Sequence, residues 1–89
     1  MNLEILTPEK KLFSDEVYGV QLPGADGLFE VLDKHAPLVS ALGKGIVKVL
    51  KDKHALKDKQ STQSYRIKGG FVEVLDNKAT VLVEGAEEA

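Results

Sequence analysis

The sequence predicts an all-β domain, a two-sheet sandwich or flattened barrel of about eight to ten short strands. Apolar residues recur in short runs, several with strict alternation, as in Tyr18, Val20 and Leu22. Clusters of Gly, Pro, Asn and Asp separate these runs at close intervals. No window of about twelve or more residues holds a 3.6-residue apolar period, so no helix is expected.

In chain order, Leu3, Ile5 and Leu6 begin a first strand that stops at Thr7-Pro8, because proline cannot donate to a ladder. Lys11 to Ser14 forms a second short strand, and Glu16 to Leu22 a third, with Tyr18, Val20 and Leu22 on one face. The cluster Pro23-Gly24-Ala25-Asp26-Gly27 is a turn in which the glycines adopt positive φ cheaply. Leu28 to Leu32 is the next strand, closed by Asp33 to Pro37. Leu38 to Leu42 and Ile46 to Leu50 follow, with Gly43 and Gly45 at the bend between them. A polar hairpin tip runs from Lys51 to about Ser64. Tyr65 to Lys68, Phe71 to Leu75 and Ala79 to Glu84 complete the set, with Gly69-Gly70 and the tight turn Asp76-Asn77-Lys78 between them. The sandwich domain thus spans residues 1–84, and 85–89 form a loose acidic tail.

An 89-residue chain holds one core and buries somewhat over ~60% of the surface its unfolded form exposes. It has no cysteine, so the core closes without disulfides or leans on a partner. Twelve Lys and Arg against fourteen Asp and Glu give 12 − 14 = −2, which is not the basic excess of a nucleic-acid binder. The one dense basic stretch, Lys48 to Lys59, is interrupted by Asp52 and Asp58 and reads as a solvated tip. The apolar runs are too short for a transmembrane helix, and Met-Asn-Leu-Glu does not open as a signal peptide does. Membrane association is expected only through a protein partner.

Catalytic chemistry finds little footing. His35 and His54 stand far apart with no second ligand at metal spacing, and Ser14, Ser40, Ser61 and Ser64 lack a nucleophile-elbow context. The glycine pairs do not open a helix, so they form no phosphate cradle. Neither a metal nor a cofactor is expected. One alternative function rests on Lys78: lipoyl- and biotinyl-type carrier domains present a modified lysine at a β-hairpin tip. Their usual Asp-Lys-Ala is here broken by Asn77, and an ordinary charged turn is the plainer reading.

From Pro23 to Gly45 the chain reads PGADGLFEVLDKHAPLVSALGKG. On residue chemistry alone this is a glycine hairpin, a strand, a proline-bounded loop in which His35 hydrogen-bonds locally, and another strand. The segment resembles the signature of the F-type ATP synthase epsilon subunit family, called delta in mitochondria. Gly27, Leu28, Val31, His35, Ala36, Pro37, Leu38 and Gly45 stand where that family has its glycine turn, strand, His-Ala-Pro-Leu and final glycine. The opening Leu3-Glu4-Ile5-Leu6-Thr7-Pro8-Glu9, then Leu12-Phe13-Ser14 and the late Gly69-Gly70-Phe71-Val72-Glu73-Val74, extend the likeness from about residue 2 to 84. Asp33-Lys34 replaces the family's usual Pro-Gly, Lys44 replaces a proline, and the polar tip after Leu50 is longer than is common.

The resemblance implies a non-catalytic rotor part at the foot of the central stalk, joining the gamma subunit to the c-ring and coupling proton or sodium translocation to ATP synthesis. It implies a c-ring contact at Asp26, Gly27 and Leu28, and a gamma contact at Thr7, His35 and Ser40. It implies a peripheral location as part of F1 on the cytoplasmic face of a bacterial inner membrane, or the equivalent organelle face. The family's usual C-terminal helical hairpin has no counterpart before Ala89, so its inhibitory role is not expected of these residues.

Overall fold

Where apolar and polar residues alternate, the chain lays one row of side chains inward and the other outward, and the strands follow that pattern closely. The computed structural model describes residues 1–52 and 62–89. Its strands are β1 (Asn2–Leu6), β2 (Lys11–Glu16), β3 (Gly19–Gly24), β4 (Gly27–Leu32) and β5 (Leu38–Leu42). They continue with β6 (Gly45–Leu50), β7 (Thr62–Ile67), β8 (Gly69–Leu75), β9 (Lys78–Glu84) and β10 (Glu87–Glu88). Among the described residues there is no helix. The all-β expectation holds.

Hydrogen bonding joins the strands in the order β10-β7-β6-β3-β5-β8-β9-β1-β2, with β4 paired to β3. The link between β3 and β5 is a single partnered position, Gly24 opposite Leu42. The sheet therefore curls over on itself into two layers, one built on β3, β4, β6 and β7, the other on β5, β8, β9 and β1. The first layer turns Val20, Leu22, Val31, Val47, Val49, Tyr65 and Ile67 inward. The second answers with Leu3, Ile5, Val72, Val74, Ala79, Val81 and Val83. No polar or charged side chain is buried among the described residues, so the core consists of apolar burial alone.

The β1 strand lies parallel to β9, pairing Ile5 with Val81 and Leu6 with Leu82. A parallel neighbour cannot come from a hairpin, and here it is supplied from the opposite end of the chain. β8 and β9 are joined through Asp76 (φ 51) and Asn77 (φ 58), the backbone signature of a type I′ turn.

Four expectations are revised. The run from Glu16 to Leu22 is split: β2 continues to Glu16, Val17 is buried, and Tyr18 sits between strands with its N–H donating to the Leu50 carbonyl at 2.9 Å. A Cβ at Gly19 would meet the Leu32 side chain and the Val31 carbonyl oxygen, which is why the new strand starts on a glycine. Pro23 lies within β3 rather than in the turn, which is only Ala25-Asp26. It is tolerated because β3 has left β6 after Gln21 and meets β5 only at Gly24, so no ladder bond needs its missing N–H. The acidic tail is not loose: the chain bends at Gly85 (φ 60), Glu87-Glu88 pairs with β7, and Ala89 N–H donates to the Ser64 carbonyl at 3.0 Å. Lys78 is the first residue of β9, opposite Leu75, and not a hairpin tip. Most of the polar tip expected from Lys51 to Ser64, with His54 and Ser61, lies outside the described residues.

Candidate functional site

Two strands carry apolar residues at positions that should face water. Phe71-Val72 in β8 and Val81-Leu82-Val83 in β9 run apolar on both faces of the sheet, the pattern of strands covered on both sides. Val72, Val81 and Val83 fill the core, while Phe71 and Leu82 point outward and stay 57% and 51% exposed. Register then extends the row: Ala41 lies opposite Phe71, Phe71 opposite Leu82, and Leu82 beside Leu6. The result is an apolar stripe over β5, β8, β9 and β1, floored by backbone and lining a groove of about 500 Å³. Thr7 and Pro8 close one end of it.

The next row along the same face is polar. Glu4 sits between Lys11 at 3.1 Å and Lys78 at 3.2 Å. Hydrogen bonds from these two ammonium groups hold its carboxyl below the usual carboxylate range. Lys78, the residue on which a carrier reading depended, is thus engaged in a surface ion pair.

A second exposed region surrounds the β3–β4 hairpin. Leu28 is 68% exposed beside the Ala25-Asp26 turn, and Val39 on β5 is 73% exposed. Asp26, Gly27, Leu28, Val39 and Ser40 share one shallow depression of about 590 Å³. Ser40 faces the same side of β5 as Leu38 and Leu42, and its Oγ donates to the Ala41 carbonyl at 3.3 Å.

The structure therefore groups the expected contact residues differently from the way the resemblance did. Asp26, Gly27 and Leu28 are together, and Ser40 belongs with them. Thr7 lies at the apolar groove, where its Oγ1 accepts the Lys10 N–H at 3.1 Å and steadies the β1–β2 turn. His35 is exposed in the loop before β5 and lines neither depression; its Nδ1 lies 2.7 Å from the Ala36 carbonyl oxygen. Sequence reasoning missed Phe71, Leu82 and Ala41. The unbroken apolar runs in β8 and β9 were the signal that could have found them.

Among the described residues no three His, Asp or Glu side chains converge to hold a metal ion, and no helix is long and apolar enough to cross a membrane. The described surface carries an apolar groove at Phe71 and Leu82 and a mixed polar and apolar depression at the β3–β4 hairpin.

Comparison with known proteins gives the family. The ATP synthase epsilon chain of Chlorobium limicola is 49% identical over 82 residues, covering 92% of this chain and 86% of the relative. That of Pelotomaculum thermopropionicum is 41% identical over 87 residues, covering 98% of this chain but 60% of the relative. Among solved structures, a chain of the Euglena gracilis mitochondrial ATP synthase (OSCP/F1/c-ring) superposes with a TM-score of 0.80 at 23% identity, over 97% of this chain and 51% of that one. A chain from the central stalk and c-ring of the Tetrahymena thermophila enzyme gives 0.78 at 17% identity, over 97% and 64%. These last two likenesses establish the shared fold. The family model for the ATP synthase delta/epsilon chain, beta-sandwich domain, matches residues 1–89, and the chain belongs to that family.

Proposed function

We propose that this chain is the β-sandwich of an ATP synthase epsilon subunit, a non-catalytic rotor component seated between the gamma subunit and the c-ring. The observation that carries the reading is the outward apolar stripe Ala41–Phe71–Leu82–Leu6 on a family member whose core is already complete without it. Apolar area left on a finished sandwich is area for a partner. The gamma subunit covers this stripe, with Thr7 at its edge.

The Asp26-Gly27-Leu28 turn, with Val39 and Ser40 beside it, meets the polar loops of the c-ring. His35 adds to the gamma contact from the loop before β5, which is tied to Asn77 at the other end of these strands. Torque passes between two adjoining patches of one hydrogen-bonded sheet, which share Ala41, and so needs no flexible linker. The protein is held at the membrane by these partners, on the cytoplasmic side in a bacterium or its organelle equivalent, and uses no cofactor. Residues 1–84 carry the partner contacts.

The test is co-purification. A tagged chain expressed in its own cells should bring down gamma and the c-ring from detergent-solubilised membranes. A preparation with the tagged chain intact and neither partner present would overturn the reading.

A further inference from the structure

The apolar stripe is bracketed by two carboxylates. Along β8 the outward side chains after Phe71 are Glu73 and Leu75, and along β9 Leu82 is followed outward by Glu84. Register sets Phe71 opposite Leu82, Glu73 opposite Thr80, and Glu84 opposite Gly69. Glu73 therefore flanks the Phe71–Leu82 pair on one side and Glu84 flanks it on the other. Along the ladder they stand four residues apart, about 14 Å at a rise of about 3.4 Å per residue. Glu84 lines the groove itself.

Glu4 is differently placed. It shares a row with Glu73 through Thr80, and Lys11 and Lys78 already supply its counter-charge. Among the described residues neither Glu73 nor Glu84 has an ion-pair partner, and both side chains are exposed.

We propose, resting on the rotor reading above, that the gamma surface seated on this stripe is an apolar ridge with a basic side chain at either end. One lysine or arginine meets Glu73, the other meets Glu84, and the two pairs align the ridge along β8 and β9. Apolar contact is non-directional, so the stripe alone would accept a ridge at many angles. A partner laid over it also takes water from both carboxylates. A carboxylate covered without a counter-charge is strongly disfavoured, whereas one met by a cation is compensated. The two acids thus select for a partner with cations at that spacing and reject one that brings acids there.

The test measures the affinity of purified gamma for the parent chain and for the double variant Glu73→Gln and Glu84→Gln. Glu30→Gln, an exposed acid on the outer side of the other layer, is the control. At low salt the double variant should bind at least about fivefold more weakly than the parent. That gap should close towards about 1 M salt, where screening is nearly complete, and Glu30→Gln should bind like the parent. A double variant that binds like the parent, a gap that persists at high salt, or an equal loss from Glu30→Gln would overturn the proposal. If Phe71→Ser with Leu82→Ser weakens binding while the double glutamine variant does not, the bracket fails and the rotor reading stands. A folded parent that does not bind gamma sinks both.

Discussion

Phe71 and Leu82 face each other directly across β8 and β9, both more than half exposed, on the outer side of a sheet whose inner side is sealed. Their inward neighbours Val72 and Val81 are paired in the same register and fully buried. The same two strands thus build the core with one face and offer a surface with the other. This division is why changes on the outer face can be separated experimentally from changes in the fold.

Gly70 sets how closely β8 approaches β9. Its φ is +154, and a Cβ there would collide with the Leu82 carbonyl oxygen. Replacing it with alanine should cost about 1–3 kcal/mol in urea unfolding, since neither strand can shift without breaking the ladder. The Leu82 side chain would be displaced with its backbone, so the apolar groove should deform too. Unchanged stability would mean that β8 and β9 are less tightly coupled than their register indicates.

Lys34 occupies left-handed backbone (φ 67) in the turn after β4, a conformation that glycine adopts without strain. A β-branched residue tolerates that conformation poorly. Lys34→Val should destabilise by about 1–2 kcal/mol, while Lys34→Gly should leave the midpoint unchanged or raised. Chemical denaturation of the pair reads the sign directly.

The Met1–Asp33 pair gives stability a pH window. Burial acts to lower the Met1 amine, but hydrogen bonds to Asp33 and Glu16 outweigh it and raise the group above its ordinary 8.0. Hydrogen bonds from the amine and from Asn77 hold Asp33 below its ordinary 3.8. A raised amine contributes fully below 8.0 and loses its contribution as pH climbs through the higher folded value. A lowered carboxylate contributes above 3.8 and loses its contribution as pH falls through the lower folded value. The gap in melting temperature between the parent and Asp33→Asn should therefore be widest between these limits and close beyond both. A gap independent of pH would remove the ion pair from the account.

Leu28 stands 68% exposed beside a two-residue turn, opposite Pro23. Leu28→Asp should leave stability within about 0.5 kcal/mol of the parent, yet reduce ion-gradient-driven ATP synthesis in reconstituted vesicles. A variant that couples like the parent would take the β3–β4 hairpin out of the c-ring contact.

The alternating runs made most strands legible in the sequence: Val20 and Leu22 share a buried face, as do Tyr65 and Ile67. Local turn chemistry was equally plain at Asp76-Asn77. What alternation cannot carry is pairing between distant segments. The parallel match of β1 with β9, the lone Gly24–Leu42 link that curls the sheet, and the return of Glu87-Glu88 to β7 all depend on which edges remain open once the hairpins have formed. The contact residues were placed by resemblance, and that likeness held the Asp26–Leu28 turn together but could not show that Ser40 sits beside it. Phe71 and Leu82 are not legible as surface because an outward apolar residue in a strand looks the same in sequence as a core one.

The account rests most heavily on the outer stripe as the seat of the gamma subunit. The direct test is the affinity of the purified chain for purified gamma, compared with that of the double variant Phe71→Ser and Leu82→Ser. The parent should form a one-to-one complex, and the variant, with its melting unchanged, should bind at least about tenfold more weakly, the equivalent of about 1.4 kcal/mol. Equal binding by parent and variant, or no binding by a folded parent, would contradict the assignment.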